Sequence, residues 1–586
     1  MTLNPTRSAR RLPLMTWLPS AALLTVGLAL CASASAGGNR FKASGPVSDA
    51  GEASELRTPL QFEEEALNNP QVGSQVLFSR CRRPATLASY APLASPEFDA
   101  VVGDTLFTFA DGSTCYNPQN EQNIVVNPRN DAHLVTSANE YRLNAHVAYV
   151  SKTGGTSWTN VVLPGWTRDT GGSGIFGHLD SCGDPVLAFS PDGARLYYAG
   201  LVCNFDKFPR QFSGVAVAVS LDGGAHWEAP VMVSSTASGD FFQDKEWIGV
   251  GNDGTVYLTW TRFYQGPRGQ GYLRSPIVMA SSKTGGKSWS SVKEVSDASH
   301  PYNQGSQVGM APDGTLYVAF EGATPGSNYN SSALIVARSV DGGKNFDNTE
   351  VARVYDDLDC YPIQRPGAQD RQTLSFMQFR INSFPSMAID PTNGTIAIVW
   401  ADNEGIGNCG TGGTSFSSDA VTSNQVKLVT SSNGTTWSSP RKITSGTADK
   451  VYPSVGANVG RIVVGYYTRE YSPKPTSDDR SCGISELDTA SGNEVLPTSM
   501  ARRNAPVCLD WALKSSTDNF TAQTRVSAQS SNPYILFSGS FIGDYTGTAV
   551  NSAGKAVTVW TDFRGNPGTG PGKTLPNQDT IVGTGF

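Results

Sequence analysis

Short runs in which apolar and polar residues alternate follow one another along most of this chain, each ended by a turn rich in glycine, proline, asparagine or aspartate. Val215-Ala-Val-Ala-Val219, Thr255-Val-Tyr-Leu-Thr-Trp260 and Thr315-Leu-Tyr-Val-Ala-Phe320 show the two-residue period of a strand. No long stretch sustains the 3.6-residue period of a helix, so the fold class is all-β. Two kinds of turn alternate between the runs. One kind reads Asn127-Pro-Arg-Asn, Ser190-Pro-Asp-Gly, Gly251-Asn-Asp-Gly, Ala311-Pro-Asp-Gly and Asp390-Pro-Thr-Asn-Gly, with weaker copies at Ala457-Asn-Val-Gly and Asn551-Ser-Ala-Gly. The other kind lies between them and is longer.

That second turn recurs five times, as Ser151-Lys-Thr-Gly-Gly-Thr-Ser-Trp158, Ser220-Leu-Asp-Gly-Gly-Ala-His-Trp227, Ser282-Lys-Thr-Gly-Gly-Lys-Ser-Trp289, Ser339-Val-Asp-Gly-Gly-Lys-Asn-Phe346 and Thr430-Ser-Ser-Asn-Gly-Thr-Thr-Trp437. A polar residue followed by glycine between two strand-like runs marks a hairpin, because glycine supplies the positive φ of a tight turn. Ser and Asp side chains fix such a turn by accepting bonds from its own backbone N–H groups. Thr153, Thr284 and Ser432 stand where Asp222 and Asp341 stand in the other copies. A degenerate sixth copy is read at Asp488-Thr-Ala-Ser-Gly.

One unit is therefore strand, Pro-Asp-Gly turn, strand, longer loop, strand, hairpin, strand. Four strands per unit repeated along the chain predict a β-propeller, with seven blades favoured and six as the alternative. The last unit ends at Asp579-Thr-Ile-Val-Gly-Thr-Gly-Phe586 after three strands, so its fourth strand is expected from the region Phe98–Phe109. The five hairpins resemble the Asp-box, or bacterial neuraminidase repeat, of the sialidase superfamily. That resemblance implies a propeller in which the boxes are structural hairpins on the blade periphery, away from the active site.

The ends of the chain add a targeting signal. Arg7, Arg10 and Arg11 precede an apolar core over Ala21–Leu30 and a small-residue site at Ala34-Ser-Ala36, which reads as a signal peptide over residues 1–36. Polar residues 37–71 read as a flexible lead-in, and 72–586 as the propeller. The expected location is secreted or periplasmic. The formal charge of −7 becomes more acidic once those arginines are removed, which argues against nucleic acid and anionic membranes as partners. No other stretch is long and apolar enough to span a bilayer, and a monomer is expected. Eight cysteines remain after residue 36, an even number that implies disulfides. Pairing of sequence neighbours would join 81 to 115, 182 to 203, 360 to 409 and 482 to 508.

Chemistry is expected where the innermost strands begin, because ligands of propellers bind at the channel mouth. Those starts read His178-Leu-Asp-Ser-Cys-Gly-Asp184, Gln243-Asp-Lys-Glu-Trp247, Asn303-Gln-Gly-Ser306, Phe379-Arg-Ile-Asn382, Asp449-Lys-Val-Tyr452 and Gly543-Asp-Tyr545. Asp184, Asp244 and Glu246 offer carboxyl pairs in which one member is held protonated, with Lys245 opposing that. Arg380 is the best anion clamp, and Tyr545 beside Asp544 the best nucleophile-like pair. The sialidase resemblance implies three arginines on a substrate carboxylate, an Asp acid/base and a Tyr nucleophile activated by a Glu. The family's first arginine motif is not kept: Cys81-Arg-Arg-Pro84 stands ahead of the first box, and the nearest local match is Phe379-Arg380-Ile381-Asn382. The functional expectation is a glycosidase-like (or polysaccharide-lyase) propeller acting on an extracellular glycan. The alternative is a non-catalytic propeller that binds glycan or protein. No cofactor is called for, although a structural Ca²⁺ near Asp544 is a third reading.

Overall fold

The computed structural model describes residues 96–586 apart from short internal stretches, the longest being 410–420 and 496–505. Residues 1–71, Cys81 and Arg82–Pro84, which carry the expected signal peptide, lead-in and first disulfide partner, lie outside the described residues. The alternating runs form seven four-stranded antiparallel blades. The innermost strands are Gln119–Asn127, Asp180–Phe189, Phe241–Val250, Asn303–Met310, Ser386–Ile389, Lys450–Asn458 and Gly547–Val550, one per blade in chain order. Each packs beside the next, and the last packs beside the first, which closes the ring at seven. Short 3₁₀ turns are the helical elements among the described residues.

The ring closes as the incomplete last unit required. Blade seven takes Gly547–Val550, Ala556–Asp562 and Asp579–Thr584 from the end of the chain, and Glu97–Asp99 from the other end completes it. Phe98 lies opposite Val582. The Arg564 guanidinium ties this strand down, binding Glu97 at 2.9 Å and Asp562 at 2.7 Å.

Each blade is sandwiched between two others, so both faces of its middle strands must be apolar. Ile396–Asp402 is accordingly buried along its whole length, and Trp511 of blade six stacks on Trp560 of blade seven with centroids 5.8 Å apart. Burial of such aromatic pairs is among the largest contributions a core can receive.

The first four repeated hairpins join the third and fourth strands of blades one to four and share one bonding scheme. Ser220 Oγ accepts from Gly224 N at 2.7 Å, Asp222 Oδ1 accepts from His226 N at 2.9 Å, and Trp227 Nε1 donates to Gly224 O at 3.1 Å. Thr284 does the work of Asp222 in its copy, accepting from Ser288 N at 2.9 Å. The fifth hairpin differs from the expected alignment. Ser431, not Thr430, accepts from the glycine (Gly434 N, 2.8 Å), and Asn433 rather than Ser432 accepts from Thr436 N at 2.9 Å. That hairpin is one residue shorter, and Ser431 is the last residue of its strand, opposite Ile396.

The expected sixth hairpin, residues 488–492, lies outside the described residues; the strands flanking it, Glu486–Leu487 and Glu494–Val495, pair with each other as a separate two-stranded sheet. The third and fourth strands of blade six, Asp510–Ser515 and Thr524–Arg525, are joined instead through Ser516–Asp518.

Among the described residues three disulfides join neighbours in sequence: Cys182–Cys203, Cys360–Cys409 and Cys482–Cys508; Cys81 lies outside the described residues. The first clips the two inner strands of blade two, and the last closes the long insertion between the second and third strands of blade six.

The hairpins also join blades. Gly434 has φ +69°, and a Cβ there would come within 2.1 Å of the Tyr317 ring of the preceding blade, whose hydroxyl donates to Asn433 O. Gly434→Ala is expected to cost about 2 kcal/mol through the combined backbone strain and overpacking. The midpoint of urea unfolding would show it, and a wild-type midpoint would mean that the hairpin does not hold this blade contact.

Candidate functional site

The site is built from one position repeated around the axis. Six residues ahead of the inner turn of each blade, five in blade six, stand Glu121, Asp184, Lys245, Gly305, Phe384, Tyr452 and Tyr545. In five of the seven inner strands the pairing register shifts at this point, as between Asn120 and Asn123 or between Asp244 and Trp247. The residue at the bulge is left-handed, with φ +59° at Glu121, +55° at Asp184, +53° at Lys245, +69° at Gly305 and +49° at Tyr452. A left-handed non-glycine residue costs roughly 1–3 kcal/mol and persists only where its surroundings impose it. Such bulges re-aim side chains; here they bring groups from different blades together.

Lys245 is the hub. Its ammonium lies 2.6 Å from Asp544 Oδ2, 3.0 Å from Glu121 Oε1 and 3.5 Å from Asp184 Oδ2, joining blades seven, one and two to blade three. Asp544 is gripped from its other side by Arg380, whose Nε donates to Oδ1 at 2.8 Å while Nη2 donates to Oδ2. Arg380 arrives on the segment leading into blade five, and the Tyr452 hydroxyl holds its carbonyl. Asn139, on the second strand of blade one, bridges two of the bulges: its Nδ2 donates to Glu121 Oε2 at 2.5 Å and its Oδ1 accepts from Asp184 N at 2.8 Å. Gly543, at φ +94°, is required beside this knot because a Cβ would lie 2.8 Å from the Glu121 backbone nitrogen. That close approach lets Asp544 N donate to Glu121 Oε1 at 3.1 Å.

Of the expected site residues, Asp184, Arg380 and Asp544 join this one network through Lys245. Asp244 sits at its edge, accepting from Gln304 Nε2 at 3.0 Å. Glu246 and Tyr545 line the adjoining pocket with Asp544, Trp247, Phe384 and Tyr452. Trp247 also packs between blades three and four, edge-on to Tyr545 with centroids 6.4 Å apart. Glu121 and Asn139 complete the network and were not among the expected residues. Among the described residues no His/Cys/Asp/Glu cluster is arranged to hold a metal, and Asp544, beside which Ca²⁺ was considered, faces two cationic side chains.

Five carboxyl groups thus share a buried region with two cations, and the imbalance sets the protonation. Burial pushes the Glu246 carboxyl well above the usual carboxylate range, with the Asp244 charge adding to it. Burial and the Glu121 charge do the same to Asp184. Burial disfavours a charged Lys245, but Asp184, Asp544 and Glu121 together outweigh it and hold the ammonium charged. Burial, with the Asp184 and Glu121 charges, raises the Tyr545 phenol, which therefore stays protonated. Both Glu246 carboxyl oxygens and the Tyr545 hydroxyl lack a hydrogen-bond partner among the described residues.

No family model and no curated protein matches the sequence. Similar solved structures include a protein of unknown function from Dyadobacter fermentans (12% identity over 69% of this chain and 94% of that one, TM-score 0.40). A Hadza microbial sialidase is similar at 12% identity over 77% of this chain and 73% of its own, TM-score 0.37. An α-L-arabinanase of Penicillium chrysogenum complexed with arabinobiose is similar at 16% identity over 62% of this chain and 93% of its own, TM-score 0.37. At these values no activity and no site residue is carried across to this chain.

Proposed function

We propose that the axial pocket is the active site of a glycosidase-like hydrolase acting on an extracellular glycan. One observation carries the reading: two residues that line one pocket, Glu246 and Asp544, carry carboxyl groups with different electrostatic surroundings. Glu246 is buried without a hydrogen-bond partner among the described residues, and burial pushes its carboxyl well above the usual carboxylate range. Asp544 is ion-paired to Lys245 and Arg380. A pair of carboxyls driven apart in this way is how acid and base roles are assigned at neutral pH. In this reading Glu246 delivers its proton to the departing glycosidic oxygen as the C–O bond breaks, Asp544 stabilises the positive charge that develops on the sugar ring, and a water then adds to the anomeric carbon, its proton returning to the Glu246 carboxylate. Trp247 and Tyr545 supply the aromatic and hydroxyl surface that a sugar ring packs on. The three disulfides fit an oxidising compartment outside the cytoplasm.

The test is turnover of a panel of aryl glycosides by the purified chain and by Glu246→Gln, which keeps shape and removes the acid. A fall in kcat of about a hundredfold, with an unchanged melting curve, is expected from loss of a general acid. Glycosides with an activated phenolate leaving group should lose least, since they need the proton least. Absence of turnover on every glycoside by the wild-type chain rejects the reading and leaves a binding propeller in its place.

A further inference from the structure

Resting on the reading of the axial pocket as a sugar site, we infer that Asp544 is a resident carboxylate in the Arg380 fork. There it sets the site's preference for uncharged sugars over sugars that carry a carboxylate. The two-bond, side-on contact of Nε and Nη2 with the two oxygens of Asp544 is the geometry an arginine offers to a carboxylate ligand. Here the chain's own carboxylate, with a side chain wholly out of solvent, occupies it. The second cation beside the pocket is committed in the same way, since Lys245 is shared among Asp544, Glu121 and Asp184.

An acidic sugar entering the pocket has two routes, and both are unfavourable. It can displace Asp544 from the fork, which takes the Arg380 pair away from a buried carboxylate. Otherwise it can stay out of the fork, beside Asp544 and Glu246, where the cation among the described lining residues, Lys245, is already shared by three carboxylates. An uncharged sugar meets neither cost. Trp247, Tyr452 and Tyr545 line the pocket and offer it aromatic surface that carries no charge. Asp544 is thus a specificity residue, blocking the arginine that would otherwise recognise an acid.

Calorimetric titration with glucose and glucuronate, which differ only at C6, reads this directly. The wild-type chain is expected to bind glucuronate at least about tenfold more weakly than glucose, and Asp544→Asn to gain about tenfold in glucuronate affinity by opening the fork. Arg380→Gln added to Asp544→Asn should abolish that gain. Equal or tighter binding of glucuronate by the wild type overturns the inference, as does no gain in Asp544→Asn. Should Asp544→Asn not fold, the wild-type preference between glucose and glucuronate decides. Sugar binding with the expected preference but no glycoside turnover would sink the hydrolase reading and keep this one. Equal turnover of glucosides and glucuronides would do the reverse.

Discussion

Lys245→Met is expected to lower the stability of the chain at pH 7.5 by about 3–5 kcal/mol, the usual cost of removing one partner from a buried ion pair. The methionine fills a similar volume, so little of the loss comes from packing. What is lost is the ammonium that touches Glu121, Asp184 and Asp544 together, at 3.0, 3.5 and 2.6 Å. Asp544 keeps Arg380, and Glu121 keeps Asn139 and the Asp544 N–H. Asp184 is left with backbone contacts such as the N–H of residue 245. Because the three carboxyls come from blades one, two and seven, their repulsion acts across the closure of the ring.

The pH dependence gives this expectation a sign. The folded pKa of Asp184 is raised by burial even with Lys245 present, and losing the ammonium raises it further. A carboxyl with a raised folded pKa binds its proton more tightly folded than unfolded, so its penalty grows as pH rises above the unfolded value near 4. The deficit of Lys245→Met relative to wild type should therefore shrink as pH falls from 7.5 toward 4.5. Urea midpoints of the two chains at several pH values measure it. A variant as stable as wild type at pH 7.5, or a deficit that does not shrink in acid, would show that the network is solvated rather than buried.

The architecture was legible because its signals are local. Strand period, inner turns and glycine hairpins each occupy a few residues, and their alternation fixes the blade and its order. The site was partly legible for the same reason: the position six residues ahead of the inner turn, five in blade six, runs through Glu121, Asp184, Lys245, Gly305, Phe384, Tyr452 and Tyr545. Counting back from Asn127 would have added Glu121, which otherwise reads as one more polar residue in Gln119-Asn-Glu-Gln-Asn123. Pairing was not legible. Arg380 and Asp544 are 164 residues apart and meet only when the ring closes, so an arginine that looks like a ligand clamp in sequence is occupied by its own chain. The fifth hairpin was misaligned because Thr430-Ser-Ser432 offers three hydroxyls, and strand register alone chooses Ser431.

A second large effect lies away from the axis, between blades one and two, and moves in the opposite direction with pH. His146 is buried against Trp166, with ring centroids 4.4 Å apart, and the backbone at Gly200 passes so close that a Cβ there would lie 2.5 Å from its ring. Its Nε2–H donates to Leu201 O at 3.0 Å, which leaves Nδ1 to accept from the Tyr198 hydroxyl at 3.4 Å. This is a neutral ring in a site that has no room to hydrate a charge, and burial lowers its pKa to about 4. The unfolded chain takes up that proton near pH 6.5, so the stability His146 provides is complete above 6.5 and drains away as pH falls toward 4. The span of about 2.5 units corresponds to about 3 kcal/mol, and the lowered pKa of His133, between the same two blades, adds to it with the same sign. His146→Gln cannot titrate, so the wild type should lose about 3 kcal/mol more than the variant between pH 7 and pH 4. Parallel stability curves for the two chains across that range would place the acid sensitivity elsewhere in the molecule.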